Sequence, residues 1–188
     1  MLKPHRCASP KCVATRNPNK PGPHGLAYKR ALSEFGSQLK EKQKLAATYG
    51  VRDRSMKRLF RMAARNPAAT GQTFLTLLER RLDNVAYRLG FAPSRSVARL
   101  LVGHGHVFVN GRRTDIPSAL LKIGDKVTLR PQSRDNALSK AIPEAIKTYD
   151  APVWLKLDKE KLEGLVVSLP KDFDAPFDIN MVVDYYSK

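Results

Sequence analysis

Leu78-Glu79-Arg80-Arg81-Leu82-Asp83-Asn84-Val85-Ala86-Tyr87-Arg88-Leu89-Gly90-Phe91, then Ser94-Arg95-Ser96-Val97-Ala98-Arg99, then His104-Gly105-His106-Val107-Phe108-Val109-Asn110-Gly111-Arg112-Arg113 decide how this chain is read. From about Thr73 to Gly90, Leu75, Leu78, Leu82, Val85, Ala86 and Leu89 recur with the 3.6-residue period of one amphipathic helix. Ser94 caps a shorter helix with Val97, Leu100 and Leu101 on its apolar side and Arg95 and Arg99, one turn apart, on the other; Gly103 closes it. Val107 and Val109 alternate with Phe108 before Asn110-Gly111, whose residues both tolerate positive φ, so a hairpin follows. Gly124-Asp125 opens a further strand through Val127 and Leu129. Residues 75–134 therefore read as helix, helix, small sheet.

This pattern puts guanidinium groups on a short helix and again beside a tight turn. Each guanidinium is a planar fork for phosphate and base-edge oxygens, and the hairpin fixes where the second set points. Arg80, Asn84 and Arg88 form an i, i+4 stripe. Glu79 and Asp83, beside Arg80 and Arg81, read as ion-pair partners that orient those arginines rather than as catalytic carboxylates. His104 and His106 flank Gly105 at the entry to a strand; alternate positions face opposite sides, so one packs and the other faces outward.

Outward from this module the charge is uneven. The chain carries 34 Lys and Arg against 17 Asp and Glu, a net +17. Residues 1–74 hold +13, residues 75–134 hold +7, and residues 135–188 hold −3. Self-repulsion of that size calls for a polyanion over the first two regions, and the acidic last region suits protein. No apolar run approaches the roughly 20 residues of a membrane span and no signal peptide opens the sequence, so a cytoplasmic protein is expected.

The first 28 residues, broken by Pro4, Pro10, Pro18, Pro21 and Pro23, read as an irregular basic arm. Ser33 then caps a helix through Phe35, Leu39, Leu45 and Ala46 that stops at Gly50, with Lys40, Lys42 and Lys44 on its other face. A second helix starts after Asp53 or Ser55, buries Met56, Leu59, Phe60 and Ala63, and shows Lys57, Arg58, Arg61 and Arg65. A surface serving solubility alone would mix signs; these faces are nearly all positive. In the tail, Val153, Leu155 and Leu157 alternate, as do Leu165, Val167 and Leu169, which predicts extended segments packed on another part of the chain. Trp154, Tyr185 and Tyr186 lie in that acidic setting and read as packing residues.

The central stretch resembles the RNA-binding module named after ribosomal small-subunit protein four. The likeness extends beyond it: Pro21-Gly22-Pro23-His24-Gly25 is similar to a family loop, Leu39-Lys40-Glu41-Lys42-Gln43-Lys44 with Tyr49-Gly50-Val51 to its first helix, and Val182-Val183-Asp184-Tyr185-Tyr186-Ser187-Lys188 to its ending. The resemblance, of bacterial or organellar type, implies an α+β protein. A basic arm and helical domain (1–74) would be completed by a C-terminal segment (135–188), with the module (75–134) inserted between. It implies a primary binder of a multi-helix junction in the five-prime domain of small-subunit rRNA that nucleates assembly. Arg80, Arg81, Asn84, Arg88, Ser94, Arg95, Arg99, His104, His106, Asn110, Arg112 and Arg113 would meet rRNA, with His24, Lys40, Lys42, Lys44, Lys57 and Arg58. Lys29 and Arg30 would lie near the mRNA entry, with small-subunit proteins three and five as protein partners and translational accuracy influenced through protein five.

Some members hold zinc through four cysteines near the N-terminus, and Cys7-Ala8-Ser9-Pro10-Lys11-Cys12 is similar to the second pair. The first pair is absent, and His5 and His24 lack the close spacing of a knuckle, so no cofactor is expected. Arg81-Leu82-Asp83 reproduces the catalytic letters of pseudouridine synthases that carry the same module. Here the triplet lies in the module's first helix, and the residues after 134 are too few for a catalytic sheet domain. No phosphate loop or metal-binding helix motif occurs, so neither an enzyme nor a small-molecule substrate is expected.

Overall fold

The computed structural model describes residues 9–19, 22–26, 31–130, 142–171 and 177–187. After a single turn, α1 (Val13–Arg16), the helical part begins with α2 (Glu34–Tyr49). Ser33 caps it by accepting the Gly36 N–H at 3.1 Å, and Gly50 ends it in the left-handed region. In α3 (Asp53–Ala63), Met56, Leu59, Phe60 and Ala63 are buried, while Lys57, Arg58 and Arg61, with Arg65 just beyond, are exposed. A 3-10 turn (Pro67–Ala69) leads into α4 (Thr70–Glu79).

The single helix expected over 73–90 is two. The chain breaks at Arg80-Arg81 because residues 117–121 bind there: Leu82 N–H donates to Ala119 O at 2.8 Å, Asp83 N–H to Pro117 O at 3.1 Å, and Leu121 N–H to Arg80 O at 2.9 Å. Arg81 becomes the extended N-cap of α5 (Leu82–Arg88). The apolar period runs unbroken through the sequence because each half faces a core of its own. Leu75 and Leu78 join the cluster of α2 and α3, whereas Leu82, Val85, Ala86 and Leu89 join the cluster beneath the sheet. The helical part thus ends near residue 79, not 74.

The module continues with α6 (Arg95–Gly103), capped by Ser94 on Val97 N–H at 3.3 Å. Its buried side is Ala98, Leu101 and Val102; Leu100, expected inside, is 44% exposed. Next come β1 (Val107–Val109), β2 (Arg112–Arg113) and β3 (Lys126–Leu129), the expected hairpin turning at Asn110 (φ 51°) and Gly111 (φ 77°).

The tail divides. Residues 142–166 stay with the module: α7 (Ile142–Lys147), β4 (Leu155–Asp158) and β5 (Glu163–Val166) complete an antiparallel sheet of order β2-β1-β3-β5-β4. Ile142, Ile146, Trp154, Leu155, Leu162 and Val166 fill the module's core. α8 (Ile179–Ser187) closes the helical part, packing on α2 and α4 with Val182 buried and the Tyr186 ring 5.1 Å from Phe60. The described residues of the 135–188 segment therefore do not pack as one unit on the helical domain. On β5 the expected alternation is inverted: Gly164 and Val166 point inward and Leu165, Val167 and Leu169 are exposed. A Cβ at Gly164 would collide with the Leu89 side chain, so glycine is what lets β5 lie against α5.

Candidate nucleic-acid interface

The seam between the two parts is polar. Glu79, the last residue of α4 and 2% exposed, accepts hydrogen bonds from both sides of the break. Tyr49 on α2 donates its hydroxyl at 2.7 Å, and Asn84 Nδ2 donates at 2.7 Å to the carboxylate and 2.9 Å to the Glu79 carbonyl. Arg88 grips the same carboxylate with two bonds, of 3.0 and 2.8 Å. Asn84 Oδ1 in turn accepts from Arg95 Nε at 2.7 Å, and the Arg95 guanidinium lies between the Tyr49 and Tyr87 rings, 4.9 and 4.7 Å from their centres. Tyr149 donates to Arg88 O at 3.0 Å.

A second carboxylate, Asp83, takes Arg81 through both oxygens at 3.0 and 2.6 Å and Arg99 at 3.2 Å. Arg81 is 2% exposed, so it orients Asp83 from inside, whereas the Arg99 side chain is 47% exposed and reaches the surface.

Burial opposes charge on Glu79, but the Arg88 bonds and charge, with Tyr49 and Asn84, outweigh it and hold its carboxyl below the ordinary range. Burial likewise opposes the Arg88 cation; Glu79 reverses the balance and keeps it charged. Burial, then the Glu79 charge, pushes the Tyr49 hydroxyl up, so it stays a donor. The expected pairing of Glu79 with Arg80 and Arg81 is corrected: its partner is Arg88, the last residue of α5. The stripe of Arg80, Asn84 and Arg88 is broken with the helix. Arg80 donates Nε to Leu121 O at 2.7 Å, Asn84 is buried, and Arg88 is half-buried against Glu79.

The hairpin presents Arg112 and Arg113, both exposed. Arg113 folds back so that its guanidinium occupies the place a Cβ on Gly105 would take; with Gly105 at φ 71°, only glycine suits this corner. That turn also overturns the expectation for the two histidines. His104 and His106 do not diverge: their rings stack at 6.1 Å with 26° between planes, because His106 precedes the strand and Gly105 reverses the chain between them. Burial, then the charges of His104, Arg130 and Arg113, lowers the His106 pKa. Asn110, exposed, ties the hairpin to β3 by donating to Asp125 at 2.8 Å and accepting from Lys126 N–H at 2.9 Å.

A family described as the ribosomal protein S4/S9 N-terminal domain matches residues 1–79, and one described as the S4 domain matches residues 80–127. Small ribosomal subunit protein uS4 of Dehalococcoides mccartyi is 47% identical over 189 aligned positions, which cover all of this chain and 90% of that protein. Those of Chloroflexus aurantiacus (46%; 94% of this chain, 88% of theirs) and Thermus thermophilus (44%; all of this chain, 90% of theirs) are similar. The chain belongs to the uS4 family. Its members are structural RNA-binding components of the small ribosomal subunit rather than enzymes, and the relatives named are bacterial.

The boundary between the two family matches, 79/80, is the break that residues 117–121 impose on the helix. On the helical part of this uS4-family chain, Lys40, Lys44, Lys57 and Arg58 are exposed and His24 lies exposed in its loop. Lys42 is half-buried, 3.0 Å from Asp53 and over the Tyr185 ring. Lys29, Arg30, His5 and Cys7 fall outside the described residues. Cys12 stands at the start of α1, and among the described residues no group of three or more His, Cys, Asp or Glu could hold a metal. No helix among the described residues is long and apolar enough to cross a membrane. Sequence reasoning missed the contacts of Tyr49, Tyr87 and Tyr149 at the seam, since each is made with residues distant in sequence or on another element.

Proposed function

We propose that this chain is a primary rRNA-binding protein that clasps a multi-helix junction in the five-prime domain of small-subunit rRNA and nucleates assembly of the subunit. The observation that carries the reading is the arginine set held on buried carboxylates. Arg99, about half exposed, is pre-oriented on Asp83, and Arg88 is held behind the surface on Glu79, inside a chain of net +17. Donors fixed before binding lose little freedom on binding, which favours recognition of RNA shape over diffuse attraction. Arg99, Arg112, Arg113, His104 and His106 form the module's contact surface, and the α2 and α3 cations supply phosphate neutralisation. Arg81, Asn84 and Ser94, buried, act by positioning their neighbours. Contact with small-subunit proteins three and five, an effect on translational accuracy through protein five, and Lys29 and Arg30 near incoming mRNA rest on the family resemblance.

Binding of the purified chain to a five-prime-domain rRNA fragment across a salt series, with excess tRNA as competitor, tests this. Affinity should survive the competitor and fall strongly in Arg99→Ala with Arg112→Ala. Loss of all binding to tRNA, with a salt slope but no effect of the substitutions, would leave a nonspecific RNA chaperone.

A further inference from the structure

We propose that Glu79 is a positioning residue whose carboxylate, together with Arg95, locks the helical part against the module. The lock sets the angle between the two RNA-facing surfaces without itself touching RNA. The inference rests on the junction-binding reading for its consequence, but not for its geometry.

Three observations meet at this residue. The chain passes between the parts at Arg80-Arg81, where the helical path breaks and Arg81 turns extended (ψ 139°), and crosses back between β5 and α8, so small rotations at these two crossings would swing one part against the other. Around that pivot the buried residues form two distinct apolar clusters, Tyr49, Leu77 and Leu78 in one and Leu82, Val85 and Leu89 in the other, with half-buried Leu120 of the module packed on the first. Apolar contact is non-directional, and parts of one chain move relative to each other unless their interface is large and hydrophobic.

What spans the pivot instead is directional. Glu79 takes Tyr49 from the helical part and Asn84 and Arg88 from the module, and Arg95 from the module inserts between Tyr49 and Tyr87, one ring from each part. Asn84 joins the two halves, since it donates to Glu79 and accepts from Arg95. Hydrogen bonds weaken steeply with misalignment, so this set is satisfied at one relative orientation only. At 2% exposure Glu79 has no surface to offer RNA. The cations on α3 and those of the hairpin lie on opposite sides of this pivot, and a folded junction that needs both at once selects the angle.

Distances between spin labels test the lock in the full-length chain. Exposed Ala47 on α2 and exposed Lys156 on β4 become Cys for labelling, with Cys7 and Cys12 replaced by Ser. The labelled parent should give one narrow distance, while Glu79→Gln and the milder Tyr49→Phe broaden it with each part still folded by circular dichroism. A variant that populates the locked angle about a tenth of the time should bind the five-prime-domain fragment about tenfold more weakly. Its affinity for tRNA should be unchanged, and saturating fragment should restore the narrow distance. An unchanged distance in both variants overturns the lock, and a broadened distance with full affinity for the fragment overturns its role in selecting the RNA. If the parent itself fails to prefer the fragment over tRNA, the junction reading falls, and the lock is then judged on the distances alone.

Discussion

Arginines on α3 and arginines at the seam are the same residue type in opposite employment. Arg58 and Arg61 stand exposed on a helix whose buried side is wholly apolar, so their charge is available to any polyanion. Arg81, Arg88 and Arg95 are tied to Asp83, Glu79 and Asn84, and that burial converts charge into fixed geometry. A highly basic protein needs both: the first kind supplies attraction that decays with salt, the second supplies the shape against which an RNA fold is chosen.

The comparison breaks most visibly at Glu79. Glu79→Ala leaves Arg88 half-buried without its partner and should cost about 3–5 kcal/mol in urea unfolding, as removal of one member of a buried pair does. An effect no larger than that of a surface substitution would mean the seam is not a structural unit. Gly164→Ala probes the packing under the seam: the added methyl meets Leu89, and overpacking of this kind costs about 1–3 kcal/mol in the same assay. Ser94→Ala removes the cap that starts α6 and so loosens the helix bearing Arg95 and Arg99; the expected loss is about 1 kcal/mol.

A pH series sharpens the point with a smaller effect. The folded-state pKa of Glu79 is depressed below its ordinary 4.5, so its stabilisation is fully present above pH 4.5 and is lost as pH falls through the depressed value. Glu79→Gln should flatten that part of the stability profile, and an identical acid limb in both proteins would show that other carboxylates govern it. Smallest of all, Lys57→Ala with Arg58→Ala should change stability by no more than about 0.5 kcal/mol. The same pair should reduce the salt slope of RNA binding by about 2, one for each phosphate contact removed.

Which features could be read from sequence follows from how local their causes are. The start of α2 at Ser33, its stop at Gly50, the buried side of α3 and the hairpin at Asn110-Gly111 were all legible, because each is set by residues within a turn of one another. The break at Arg80-Arg81 was not, since its cause is a segment about 40 residues downstream that pairs with Arg81 and Leu82. The part of the tail that extends the sheet was hidden for a related reason: Leu165, Val167 and Leu169 advertise a buried face while glycine makes the inward contact. Within the candidate interface, the arginines were legible as a class. Which of them are held inside was not, because Glu79 reaches Tyr49 across 30 positions and Arg88 across nine.

One measurement bears most directly on the division between attraction and shape: the ratio of affinities for the five-prime-domain fragment and for tRNA, taken at one salt concentration in three proteins. Lys57→Ala with Arg58→Ala should weaken both affinities alike and leave the ratio at its parental value, while Glu79→Gln should lower the ratio by weakening the fragment alone. A ratio that falls in the surface variant and holds in the seam variant would contradict the account.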